Sequence, residues 1–560
     1  MDSALVGLSV LSSNFFREIK LLESSPLGVK LILDIFCIIA KCKTINTIKL
    51  MKKIFALNLI ACLLCSNLHA QWTQLGSEII GDGPFGDQLG FRHALAIDSS
   101  GNTIAVGGHA NSNVFQSSGY ARVLDWDGTG WVQRGSDIIG TDSTYSNTGY
   151  AVDLSSDGMT FAVSSPWGYN SLLYKSGNVR VFDWSNSAWV QRGFAIEGEG
   201  NINPIYSGDN FGWSLELNNS GDYIIIGGPA NTEGLGISTF GGHARVYHWD
   251  GNSWDQIGQD IDGPITLGTG TFGCSVGINN DGDRIVIGGR MYTGTNSNDQ
   301  ERGIAMTYEY DGSAWMLMGD TIFGSNSGDN LGEAVEISGD GNTIAIGAPT
   351  SNSFNGQTKI FDWDGLNWVQ RGNSILGVSS SNMTSSGRTL ALSNNSSVLA
   401  IGENGANFNK GAVKVYHWNN NSWQQIDNTI SPQSPTTMPS FGWGVDVNHN
   451  GSRIIAAAPL DETGKVRVYE NIKLDSTWHC YQSAGCQWAG NNPTLAGQYT
   501  SLSDCQAACN LTDFYTIDNT EKKTLVKITD ILGKESKVMK NQLLFYIYND
   551  GTVENKIIIE

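Results

Sequence analysis

Positive charge is scarce in this chain. Of its 560 residues only 34 are Lys or Arg, against 54 Asp or Glu, for a formal charge of −20. Such a surface repels phosphate, so nucleic acid is not an expected partner. Histidine is rarer still, 8 in all, and no two stand at a spacing that holds a metal, such as one helical turn apart. No metal or other cofactor is therefore expected. Long apolar runs are missing too. Residues 31–40 and 54–64 are apolar but well short of the ~20 residues a membrane-spanning helix needs, so no transmembrane span is expected in the mature chain. Charged residues of both signs make only 16 % of the composition, while glycine (68) and aromatic residues are plentiful, which argues against a helical protein.

What the chain does have is a recurring tryptophan. Trp72, Trp131, Trp189, Trp254, Trp315, Trp368 and Trp423 follow one another at intervals of 53 to 65 residues. Several open near-copies of one pentapeptide, as in Trp131-Val132-Gln133-Arg134-Gly135 and Trp368-Val369-Gln370-Arg371-Gly372. A fixed period of this length marks a repeat architecture, because one unit cannot bury its own apolar faces.

One unit shows the grammar. Phe272 to Ile278 reads as a first strand, Asn280-Asp281-Gly282 as a tight hairpin, and Arg284 to Gly289 as a second strand covered on both faces. A third strand is clearest in the sister run Ala244 to Trp249, and Asp250-Gly251 turns it into a fourth opened by Trp254. Seven such units can be counted. The last lacks a fourth strand, and the segment from Trp72 to Ile79 is a fourth strand with no unit before it. The economical solution closes a ring with that segment. The expected fold is all-β, a seven-bladed β-propeller of four-stranded antiparallel blades over residues 71–473.

These repeats resemble the FG-GAP repeat of integrin-α-type propellers. Phe211-Gly212 with Gly227-Gly228-Pro229 and Leu331-Gly332 with Gly347-Ala348-Pro349 are the clearest matches. In that family an acidic loop between the first two strands binds calcium. Here the loop is a plain hairpin such as Asn279-Asn280-Asp281-Gly282-Asp283, too short for the six or more oxygens calcium takes.

Strand parity chooses the working face. The first-to-second and third-to-fourth turns share one side of the disc and are short, as at Asp127-Gly128 and Asp364-Gly365. The second-to-third loops and the links between blades share the other side and are long and dissimilar, as at 198–210, 229–241 and 290–303. Binding tends to reside in variable loops on a rigid scaffold. Trp167, Tyr169, Tyr206 and Tyr292 are the candidate ligand-binding residues, since aromatic plates beside polar groups suit sugar rings or extended peptides. The repeated tryptophans and the Gln-Arg-Gly that follows them are expected to pack blades rather than bind. No catalytic residue stands out, so the chain is not expected to be an enzyme.

The flanks carry addresses. Lys52-Lys53, the apolar run 54–64 and Leu68-His69-Ala70 describe a signal peptide over 51–70, with an alternative cut before Cys62. Residues 1–50 are then expected to be a gene-model extension. Cys480, Cys486, Cys505 and Cys509 fall within 474–511, and a secreted cluster of this kind reads as a disulfide module. Of three possible connectivities, Cys480–Cys509 with Cys486–Cys505 is preferred, because Ser503 to Cys509 reads as a helix with two cysteines one turn apart. Residues 512–560 read as strands around Asp550-Gly551. This end resembles the C-terminal sorting domain of type IX secretion in Bacteroidetes, which implies release outside the cell or attachment at its surface. The expected function is extracellular binding or adhesion, as a monomer, toward a glycan or protein. A polysaccharide-acting enzyme and a purely structural surface protein are the alternatives.

Overall fold

The structure is a computed structural model. It describes residues 72–471 apart from the loop segments 84–85, 141–144, 173–174, 200–207, 232–240, 265–269, 295–298, 379–382 and 433–438, and beyond them the backbone of a few strands. The expected extension 1–50, the expected signal peptide 51–70, Tyr206, Cys505 and Cys509 lie outside the described residues.

Seven antiparallel sheets make the propeller. The first strands, which line the axis, are Leu95–Ile97, Val152–Leu154, Ser214–Leu217, Phe272–Ile278, Val335–Ile337, Leu390–Leu392 and Val445–Val447, and they number blades one to seven. In blades two, three, five, six and seven the Phe-Gly or equivalent dipeptide lies in the turn just before the first strand; in blade four it is strand, as expected, with a bulge between Phe272 and Ser275. The second strands, such as Ile344 within Thr343–Ala348, are buried on both faces, as their unbroken apolar character requires.

Blade seven is completed by the N-terminal segment. Thr73 pairs with Glu470 and Gln74 with Tyr469, then Ile79 with Val466 and Ile80 with Lys465. Each outer strand is broken in this way into two short pieces, except in blade six, where the second piece is a single bridge from Val413 to Ile430.

The tryptophan pentapeptide is a seam between blades. Trp131 lies opposite Trp126 in the blade-one hairpin, ring centres 5.4 Å apart, and its indole N–H donates to the Leu75 carbonyl of the preceding outer strand at 3.0 Å. Trp189 reaches Arg134, Trp254 reaches Arg192 and Trp315 reaches Ile257 in the same manner, at 2.9, 3.1 and 3.0 Å. The arginine of the motif crosses the same seam. Arg134 holds Asp125 of its own blade at 2.7 Å and the Gly158 carbonyl of the next at 2.6 Å. The closing glycine leaves room for the next blade, since a Cβ on Gly135 would stand 2.8 Å from the Trp184 ring.

Short turns satisfy themselves. Asp127 Oδ1 accepts from the Thr129 and Gly130 amides at 2.7 and 2.8 Å, and Asp250, Asp311 and Asp364 repeat the arrangement. At the first hairpins Asn279 Oδ1 accepts from the Asp283 and Arg284 amides at 3.0 and 2.9 Å, so its oxygen is spent on its own turn.

Outside the propeller, Trp478–Tyr481 pairs with Gly485–Trp488, which sets Cys480 opposite Cys486 in register. Leu525–Thr529, Leu543–Tyr548 and Val553–Ile557 form a three-stranded antiparallel sheet. Among the described residues no helix is long and apolar enough to cross a membrane.

Candidate binding site at the propeller hub

Two tiers of side chains line the axis, and both follow from one repeated backbone geometry. A glycine in the left-handed region stands just before the first strand or, in blade four, within its start, with φ between 83° and 89° at Gly149, Gly212, Gly273, Gly332, Gly387 and Gly442. The residue after it sits at the mouth on the long-loop face. In order these are Tyr150, Trp213, Cys274, Glu333, Arg388 and Trp443. Blade one carries two extra residues there. Gly90 and Gly149 make the same bond to a second strand, at 2.9 Å to Gly107 and Ser164, yet Ala94 lies four positions on where Ala151 lies two. The insertion brings Phe91, Arg92 and His93 to the mouth.

The mouth is divided. On one side aromatic rings form an arc: Trp443 meets Phe91 at 5.1 Å, Phe91 meets His109 at 5.3 Å, His109 meets Tyr150 at 5.2 Å, and Tyr150 meets Trp213 at 4.8 Å and Trp167 at 5.4 Å. Trp167, Trp213, Trp443 and Phe91 are half-buried, while Tyr150 and His109 are buried. On the other side Arg92, Arg290 and Arg388, from blades one, four and six, surround Glu333 of blade five at 3.0, 3.0 and 3.7 Å. Burial would raise the Glu333 carboxyl, but the three guanidiniums outweigh it and hold it below its ordinary value. His93 hydrogen-bonds the Cys274 backbone, and burial with the charge of Arg92 lowers it to about 4, so it is neutral at pH 7. The Cys274 thiol is buried, reaches the Gly332 carbonyl at 3.4 Å and is pushed up by burial.

Of the residues expected to bind, Trp167 belongs to this arc. Tyr169 is half-buried and lies under the Lys175 ammonium, 5.5 Å from its ring centre. Tyr292 is buried in the core of blade four and packs on Phe323 at 6.0 Å, so its place is explained by packing. Arg92, Arg290, Arg388, Glu333, Trp213 and Trp443 were not singled out from the sequence.

A cavity of about 200 Å³ runs below the mouth along the axis. Its second tier is the middle residue of each first strand, and in four blades that residue is an acid: Asp153, Glu216, Glu336 and Asp446. Each reaches the neighbouring blade. Asp153 accepts from the Leu217 amide at 2.6 Å and Asp446 from the Ile97 amide at 2.9 Å, while Glu216 and Glu336 accept from Ile278 and Leu392. These bonds satisfy inner-edge amides that would otherwise face the channel unpaired. Below them the first hairpins link hand to hand, Ser99 to Ser156 to Asn219 and Asn280 to Gly339 to Asn394, at 2.9 to 3.0 Å.

Protein surrounds these acids on every side although the channel reaches them. Burial raises Asp153 to about 7; burial, then the charge of Asp153, raises Asp446 to about 8. Burial and the facing acids raise Glu216 and Glu336 well above the ordinary carboxyl value. The folded state therefore keeps protons that the unfolded chain loses near pH 4. The contribution of these acids to stability is greatest below that pH and falls as pH rises through 7 and 8. Asp446→Asn keeps an acceptor without the charge and is expected to stabilise the fold by ~1–3 kcal/mol at pH 8, discounted for water in the channel, and hardly at all at pH 4. Thermal melts at the two pH values check this, and an equal loss at both would reject it.

One other cluster has metal-like composition. Glu199, His243 and Asp260 lie close together, but Arg245 is paired with both carboxylates, to Asp260 at 2.7 Å, so a guanidinium already supplies the positive charge there. Burial, then Arg245, lowers His243 to about 4.

The fold and hub define a seven-bladed β-propeller with a polarised axial mouth. No family model matches the chain, and no curated protein matches it.

Proposed function

We propose that this chain is a secreted or surface-displayed binding and adhesion module that takes an extracellular glycan or protein at the hub mouth of its long-loop face. The observation that carries this reading is the divided mouth, half-buried aromatic rings facing three guanidiniums around one carboxylate. Rings of this kind give contact area to a sugar at low entropic cost. The lower acids each hold a neighbour's amide, and Glu333 is held by arginines, which favours binding over acid–base hydrolysis. The blades read best as FG-GAP-like repeats, supported by the glycine before each first strand. Export through the signal at 51–70 and the type IX route is part of the same proposal, and the antiparallel sheet within 512–560 supports it.

Trp167→Ala and Trp213→Ala are expected to weaken binding to the glycans selected on an array by roughly tenfold or more each, with little change in melting temperature. Unchanged affinity in both variants would reject the mouth as the binding surface.

A further inference from the structure

We propose that the hub mouth binds the carboxylate of an acidic sugar, whose ring rests on the aromatic arc while its carboxylate engages the guanidiniums that Glu333 leaves under-neutralised; this rests on the glycan-binding reading above. The charge count leads to it. Three arginines converge from three blades and one carboxylate answers them. Arg290 spans both Glu333 oxygens at 3.2 and 3.0 Å, and Arg92 holds one of them at 3.0 Å. Arg388 stops at 3.7 Å, beyond hydrogen-bond length, and its buried Nε has no hydrogen-bond partner among the described residues. Neutral His93 adds no negative charge. A site of excess positive charge on a chain of net charge −20 needs a reason, and neutralising Glu333 would need only one arginine.

The guanidinium fork matches a planar carboxylate in two parallel bonds. What points to a sugar carrying that carboxylate is the neighbourhood. Tyr150 lies within electrostatic reach of Arg92, Arg290 and Glu333, and it touches Trp167 and Trp213, so the arc and the arginines form one surface.

Titration calorimetry on the whole protein tests this with oligomers of galacturonate and of mannuronate, the methyl esters of both, a sulfated galactan oligomer, a neutral β-glucan oligomer and polyglutamate. At least one uronate oligomer is expected to bind roughly tenfold or more above its own ester, and Arg388→Gln to remove most of that difference. Glu333→Gln, which removes the competing carboxylate, is expected to bind that oligomer more tightly than the parent and to gain more melting temperature from it. This opposite sign keeps the test decisive if Arg388→Gln does not fold. Ester binding equal to acid overturns the carboxylate while leaving the glycan reading standing. Tighter binding of the sulfated galactan assigns the site to sulfate instead, and equal binding of polyglutamate overturns the sugar. No binding by any probe removes the glycan reading and this inference together.

Discussion

Deleting residues 71–82 is expected to cost the propeller its cooperative unfolding transition. That segment supplies the outer strand of blade seven and brings Trp72, Leu75 and Ile79 into the packing between blades six, seven and one. Full burial of three large apolar side chains is worth ~5–9 kcal/mol, which is comparable with the whole stability of many domains. Polar losses add to this. Glu78 holds Arg467 at 2.5 Å, and Arg467 is only 3 % exposed; without it the guanidinium keeps Asp461 at 3.5 Å as its carboxylate partner. Trp131 would also lose the Leu75 carbonyl, so the damage reaches blade one. Calorimetry should show a broad transition at much lower temperature. A synthetic 71–82 peptide added in trans should restore part of it, by mass action on the open edge. A truncated protein that melts with the intact one would show that the ring does not depend on this strand.

The closing strand and the count of seven were legible in the sequence, because each is a statement about period and parity. Tryptophan marks every outer strand, and a leftover strand at one end fits a missing one at the other. Boundaries were less legible. Phe-Gly pairs have strand-like composition, yet a glycine at φ of 89° and 83° sits in the turn before the strand at Gly212 and Gly442, while Phe272-Gly273 is strand. The hub was the hardest part to read. Arg92, Arg290, Glu333 and Arg388 are far apart in the chain and meet only because the ring closes. A signal was nonetheless present. The position after each first-strand glycine changes from Tyr150 and Trp213 to Glu333 and Arg388 while its neighbours keep their character, and variation confined to one column of a repeat marks the surface where blades differ in purpose. The column three further on, with Asp153, Glu216, Glu336 and Asp446, carries acids where a strand buried on both faces should be apolar. A tryptophan in a loop, such as Trp167, is visible alone, and Tyr292 shows that the same signal also selects core residues.

Gly347→Ala is expected to destabilise the protein by ~2–4 kcal/mol, although it adds one methyl group to a strand residue that alanine normally suits. The reason lies across the seam between blades five and six. A Cβ on Gly347 would overlap the carbonyl oxygen of Gly387, which is backbone and cannot rotate aside. Gly107, Gly227, Gly288 and Gly402 face Gly149, Gly273, Gly332 and Gly442 in the same way. Blades two and seven carry Ser164 and Ala457 at this position, facing Gly212 and Gly90, so a seam built around a Cβ is possible. The blade-five seam is not so built, and opening it would disturb the packing of Ala334 and Leu390 beside it. Gly130→Ala is the control: no atom lies within 4 Å of its added carbon, and the change should move stability by less than about 0.5 kcal/mol. Chemical denaturation of both variants compares them directly. Because Gly387 directly precedes Arg388, a strained seam should also displace that guanidinium, so Gly347→Ala is expected to lose ligand affinity that Gly130→Ala keeps. Equal stability of the two variants would mean that the blades do not approach as closely as the glycine pairs require.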